Sequence, residues 1–199
     1  MRFSKTTKRV LSLAMTAAVA ASSVAVAPAP KKADAAGSYT AYLCFASKTY
    51  KGVRANHNDG NFSLGVHNGN TKKKIKTSIK NATFKKGKVS FTVSVTGAAL
   101  KNALKGDKGF NTIYVDTNLP GTSKKKFKVS SATLKIDGKK VKTIKNPYLT
   151  PDAGKEKNEF TQIMIINTWN PNAEKKYKSS ALTKVPTKSM AVTVSGTLK

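Results

Sequence analysis

Apolar and polar residues alternate along most of this chain, and a period of two marks strands that bury one face. From Tyr39 to Ser47 the alternation puts Tyr39, Ala41, Leu43 and Phe45 on one side and Thr40, Tyr42 and Cys44 on the other. A short strand is predicted near Phe62–His67. The turn after it, over His67-Asn68-Gly69-Asn70, carries an Asn-Gly step suited to a tight reversal. Ile75–Phe84 reads as one strand, and Lys86-Gly87 turns the chain. Lys88–Thr96 is the clearest strand, with Val89, Phe91, Val93 and Val95 set against Ser90, Thr92, Ser94 and Thr96. Apolar positions over Ala98–Leu104 predict a short helical stretch, stopped by Gly106.

Phe110–Thr117 is the next strand. Asn118-Leu119-Pro120-Gly121 is expected to break it, because Pro-Gly is strong turn punctuation. Phe127–Ile136 and Val141–Ile144 flank Asp137-Gly138, a hairpin signal. Asn146–Asn158 reads as a loop. Phe160–Trp169 is a nearly continuous apolar run through Ile163, Met164, Ile165 and Ile166, the pattern of a central strand covered on both faces. Met190–Leu198 closes the chain with another alternating strand. About nine short strands without βαβ alternation define an all-β chain, expected to fold as an antiparallel β-sandwich of jelly-roll topology. Phe91, Val93, Val95, Leu134, Ile136, Ile163 and Ile165 are its expected core.

The N-terminus follows a different pattern. Arg2, Lys5, Lys8 and Arg9 precede an uncharged run from Val10 to Ala27, and Ala33-Asp34-Ala35 offers an A-x-A cleavage site. Residues 1–35 read as a secretory signal peptide, leaving 36–199 as a single β-sandwich domain. An uncleaved anchor is the competing reading, weakened by the many small residues in the run. No second apolar stretch of membrane-spanning length follows. The expected product is a secreted, extracellular or envelope-associated monomer.

Charge narrows the partners. The chain has 37 Lys and Arg against 9 Asp and Glu. Removing residues 1–35 takes away six bases and one acid, which leaves 31 against 8, a net charge of +23. Arg54 is the single arginine in that remainder. Arginine supplies planar bidentate contacts, whereas lysine is a hydrated point charge. A dedicated nucleic-acid reader uses both and stacks bases on aromatics. The lysine load therefore argues against specific nucleic-acid recognition. It reads either as a solvated surface that gives solubility or as attraction to a polyanion such as wall teichoic acid or phospholipid headgroups, and the two are compatible.

T-V-S-V-T-G at 92–97, I-Y-V-D at 113–116, V-S-S-A-T-L-K-I-D-G-K-K-V at 129–141 and the Trp-bearing strand Phe160–Asn170 together form a pattern across most of residues 39–198. It resembles jelly-roll carbohydrate-binding modules and small secreted proteins of Gram-positive Firmicutes. The resemblance implies glycan binding through exposed aromatics, often one structural calcium, and no catalysis. This chain differs in its lysine load and in having one tryptophan.

Trp169, followed by Asn170-Pro171, is the foremost ligand-binding candidate, since an indole face stacks on a sugar ring; a core tryptophan plugging the sandwich end is the other reading. Tyr50, Tyr148 and Tyr177 lie in predicted loops and are its expected supplements. Asn58, Asp59 and Asn61, in the loop Asn56–Asn61, are candidate calcium ligands, and a hydrogen-bonded Asn/Gly turn is the alternative. His57 and His67 match no zinc spacing. Cys44, the lone cysteine, reads as a small buried apolar residue. For catalysis, Asp116 at a predicted strand end and the Asp152, Glu156 and Glu159 loop are the carboxylates to consider, and there is no G-x-S-x-G elbow. The expectation is a non-enzymatic binder of glycan or anionic cell-wall polymer. The alternatives are a secreted hydrolase with an unrecognised site and a cationic adhesion protein that binds polyanions by charge alone.

Overall fold

The computed structural model describes residues 37–47, 67–68, 73–74, 78–97, 100–101, 104–150 and 160–199. Residues 1–35, expected to be a signal peptide, Tyr50 and the loop carrying His57, Asn58, Asp59 and Asn61 lie outside the described residues, as do Asp152, Glu156 and Glu159. The strands are β1 (Tyr39–Ala46), β2 (His67–Asn68), β3 (Lys73–Lys74), β4 (Ser78–Lys80), β5 (Ala82–Phe84), β6 (Gly87–Thr96), β7 (Thr112–Pro120), β8 (Phe127–Ile136), β9 (Lys139–Lys145), β10 (Leu149–Thr150), β11 (Phe160–Asn167) and β12 (Ser189–Leu198). A short helix, α1, covers Pro171–Glu174.

Two five-stranded antiparallel sheets form the sandwich. The first has the order β10-β11-β7-β1-β5 and the second β4-β6-β12-β8-β9, while β2 and β3 pair separately. The antiparallel partners are nested. β8 pairs with β9, β7 with β11, β6 with β12 and β5 with β1. Successive pairs fall alternately in the second and first sheets, the winding of a jelly roll. The departure is at the end of that series. The partner of β5 is the first strand of the chain instead of one following β12.

Alternation builds the core as expected. Ala41, Leu43 and Phe45 of β1, Val89, Phe91, Val93 and Val95 of β6, and Leu134 and Ile136 of β8 all point into one apolar cluster between the sheets. Phe84 stacks on Phe91 and Phe127, with centroids 5.0 and 5.5 Å apart. Strand β11 lies between β10 and β7 and is buried along Thr161–Ile166. A register shift between Met164 and Ile166 turns both Ile165 and Ile166 into the core, beside Ile163. On the outer side of the first sheet Cys44, Tyr114 and Met164 form a second small cluster with Ala173 of α1. The predicted helical stretch is present at Leu100 and Leu104, where the Leu104 amide donates to the Leu100 carbonyl at 3.0 Å and both side chains are buried.

Several boundaries differ from the alternation pattern. Ile75–Phe84 is not one strand: β4 joins the second sheet and β5 the first, with Asn81 at the crossing. The break at Asn118 does not occur, because Leu119 is needed in the core and β7 runs on to Pro120. A 3-10 turn over Gly121–Lys126 follows. His67 and Asn68 belong to a strand rather than a turn, and Leu149–Thr150 of the expected loop adds an edge strand to β11.

Candidate functional site

Three strand ends meet at one end of the first sheet. β1 ends and β7 begins where Ala46 faces Thr112, and β11 ends where Asn167 faces the same Thr112. Two backbone bonds tie the segments beyond them: the Asn111 amide donates to the Ala46 carbonyl at 2.8 Å, and the Thr168 amide to the Asn111 carbonyl at 2.9 Å. The chain then turns at Thr168 and Trp169 into α1. The Trp169 amide donates to Asn167 Oδ1 at 3.0 Å. Asn170 caps the helix, its Oδ1 accepting from the amides of Asn172 at 3.0 Å and Ala173 at 3.2 Å. Pro171 occupies the first helical position, where its missing N–H costs nothing.

Those two side-chain locks hold the Trp169 backbone and leave its ring outside. The indole is 70% exposed, the one large apolar side chain among the described residues to stand open to solvent. It does not plug the sandwich end. Leaving such a ring in water forgoes on the order of 2 kcal/mol of burial.

Thr168, the residue before Trp169, lies on the wall of a shallow open cleft together with Asp107, Lys108, Asn111, Ser179 and Ser180, with Phe110 and Leu182 beneath; the Trp169 ring itself is not part of that lining. The wall is organised by hydrogen bonds. Asp107 accepts from the buried Ser47 hydroxyl. Glu174 of α1 accepts from the Ser179 amide at 3.1 and 3.2 Å and from its hydroxyl at 3.3 Å. Hydroxyls, an amide and a carboxylate are groups that hydrogen-bond a sugar, and an exposed aromatic face is one that stacks on it.

Among the described residues, the other expected ligand residues, Asn170, Tyr177 and Tyr148, do not line the cleft. Asn170 is occupied as the helix cap. Tyr177 is 8% exposed and belongs to the core, with Lys142 Nζ 5.6 Å from its ring centroid. Burial pushes its phenol pKa up. Tyr148 packs against the cluster of Cys44, Tyr114, Met164 and Ala173. The cleft residues Asp107, Asn111, Ser179 and Ser180 were not singled out by sequence. No local pattern marks them, because Asp107 and Asn111 meet Ser179 and Ser180 only through the fold.

The carboxylates have other duties. Asp116 is not at a strand end. It lies within β7, is 0% exposed, and accepts from the Thr117 amide at 3.0 Å. Asp137 accepts from the amides of Thr187, Lys188 and Ser189 at 2.8 to 3.1 Å. Among the described residues no group of three His, Cys, Asp or Glu is placed to hold a metal, and no helix is long and apolar enough to cross a membrane. Comparison with protein-family models, curated proteins and solved structures yields no match.

Proposed function

We propose that this chain is an exported, non-catalytic β-sandwich that binds a glycan of the cell envelope at the Trp169 rim, with its lysines adding attraction to anionic polymer. One observation carries the reading: the 70% exposed Trp169, next in the chain to Thr168 on the wall of a polar, hydrogen-bonded cleft. The non-catalytic reading rests on the sequence, which has few acids and no G-x-S-x-G elbow. Export is supported by the N-terminal charge and cleavage pattern, and the chain is taken to act as a monomer. The calcium reading rests on Asn58, Asp59 and Asn61 and belongs to their sequence pattern alone.

The test is retention of the purified protein on neutral polysaccharides and on isolated wall material at low salt. The native protein is expected to be retained and Trp169→Ala to lose retention on neutral glycan. Retention on neither material, or equal retention of both proteins, defeats the reading. A second reading, binding of polyanions by charge alone, is favoured by the lysine load. Its signature is binding that collapses between low and physiological salt and ignores polymer identity.

A further inference from the structure

The outer face of the second sheet differs in kind from the Trp169 rim. Cα partners across β6, β12, β8 and β9 bring Thr92, Thr193, Thr133 and Thr143 into one row. Their hydroxyls pair at 2.8 Å between Thr92 and Thr193 and at 2.9 Å between Thr133 and Thr143. At strand spacing the row is about 14 Å long. Lysines frame it. Lys80, Lys135 and Lys140 lie in the row through Ser94 and Ala191, Lys145 pairs with Ser131, and Lys88 and Lys128 flank Thr197. All six lysines are exposed, and β4, β6, β8, β9 and β12 contain no Asp or Glu.

Two details show a face shaped for something other than solubility. Lys135 and Lys140 are direct cross-strand partners, and like charges so placed destabilise a sheet. At the other end the register shift between Ser195 and Gly196 draws β12 onto β8. A Cβ on Gly196 would meet the Lys128 carbonyl oxygen and lie 2.9 Å from Val129 Cα, so only glycine fits. The result is a shallow depression lined by Lys88, Ser90, Lys128, Ser130, Ser195 and Thr197. The nearby acid, Asp137 in the β8–β9 turn, is engaged by the amides of residues 187–189.

We propose that this face docks a linear phosphodiester-linked polyol of the poly(glycerol phosphate) kind, lying along the threonine row with its phosphates at the lysines. It rests on the reading above for the polymer the chain meets, and adds a second face and a named chemistry. Ammonium groups bind phosphate as point charges, while hydroxyl rows hydrogen-bond phosphate oxygens and polyol hydroxyls. The face has no arginine and no outward aromatic for base stacking, so nucleic acid is the disfavoured polyanion. A bound phosphate also relieves the Lys135–Lys140 repulsion.

The experiment measures affinity of the full chain for poly(glycerol phosphate) and for oligothymidylate of equal phosphate number. Lys128→Gln/Lys135→Gln/Lys140→Gln is compared with the equal-charge control Lys105→Gln/Lys175→Gln/Lys184→Gln. At about fivefold per lysine on an anionic surface, the face triple is expected to weaken poly(glycerol phosphate) binding on the order of 100-fold and the control less than about fivefold. On the unmodified protein, bound polymer should protect the six face lysines from acetylation and leave Lys105, Lys175 and Lys184 reactive, a readout that needs no variant to fold. Equal losses in both triples, uniform protection, or tighter binding of oligothymidylate overturns the proposal. Trp169→Ala is expected to bind poly(glycerol phosphate) unchanged. Loss on the face with glycan retention indifferent to Trp169 sinks the earlier reading alone, and the reverse result sinks this one alone.

Discussion

Trp169 and Asp137 show how single residues are placed by backbone hydrogen bonds. The tryptophan amide is held by Asn167 while its ring meets water, so Trp169→Ala removes the proposed binding surface and little packing. Its unfolding free energy is expected to change by less than about 0.5 kcal/mol in urea titration, with glycan retention lost. Asp137 works the other way. Burial raises its carboxyl, but the amides of Ser189, Lys188 and Thr187 and the Thr187 hydroxyl outweigh that and hold it at about 2. Folded Asp137 thus resists protonation more than unfolded Asp137. The stability it contributes is present above the ordinary carboxylate range and is lost as pH falls through about 2. Because solvent still reaches the half-buried carboxylate and screens it, its contribution is on the order of 1 kcal/mol. Between pH 4 and pH 2 the urea midpoint of the native protein should fall further than that of Asp137→Asn. A parallel fall in both would exclude the linkage.

Among the elements, alternation was a sound guide to faces and a poor guide to ends. The inward side of β1 and β6 was legible because every second residue is apolar, and that of β8 from Ala132 onward, past a shift in phase after Val129. β11 was legible because its run is apolar on both sides. The division of Ile75–Phe84 was not, since β4 and β5 use short segments of similar composition in opposite sheets. Nor was the reach of β7 to Pro120, which depends on a place for Leu119 that other strands create. Gly196 is a similar case: alternation gives no reason for glycine there, and the close approach of β8 does. Gly196→Ala forces β12 and β8 apart and is expected to destabilise the fold by about 1–3 kcal/mol, read as a lowered midpoint in thermal unfolding. An unchanged midpoint would mean that the two strands part without cost.

At the scale of the whole molecule, β1 has the most consequence. It lies between β7 and β5 within the first sheet, although it comes first in the chain. Deleting residues 1–36 spares it and should leave a cooperatively unfolding protein. Deleting residues 1–46 strips Ala41, Leu43 and Phe45 from the core and unpairs two strands, so no cooperative transition is expected by circular dichroism. The two proposed contacts also separate at this scale. The Trp169 rim lies where β1, β7 and β11 meet at one end of the first sheet, and the hydroxyl and lysine face covers the outside of the second.

By itself the sequence determined the class: a period-two pattern makes strands, and strands without helices between them make an antiparallel sandwich. It also determined the charge, and Trp169 as the residue to examine. Only the tertiary structure decided that the indole is open, that Tyr177 is core and Asp116 interior, and that Asp107, Asn111, Ser179 and Ser180 share a wall. The physical reason is that periodicity records which side of a strand meets water. Which strands become neighbours is settled by pairing across the whole chain, and a site made of strand ends and turns exists only once that pairing is complete.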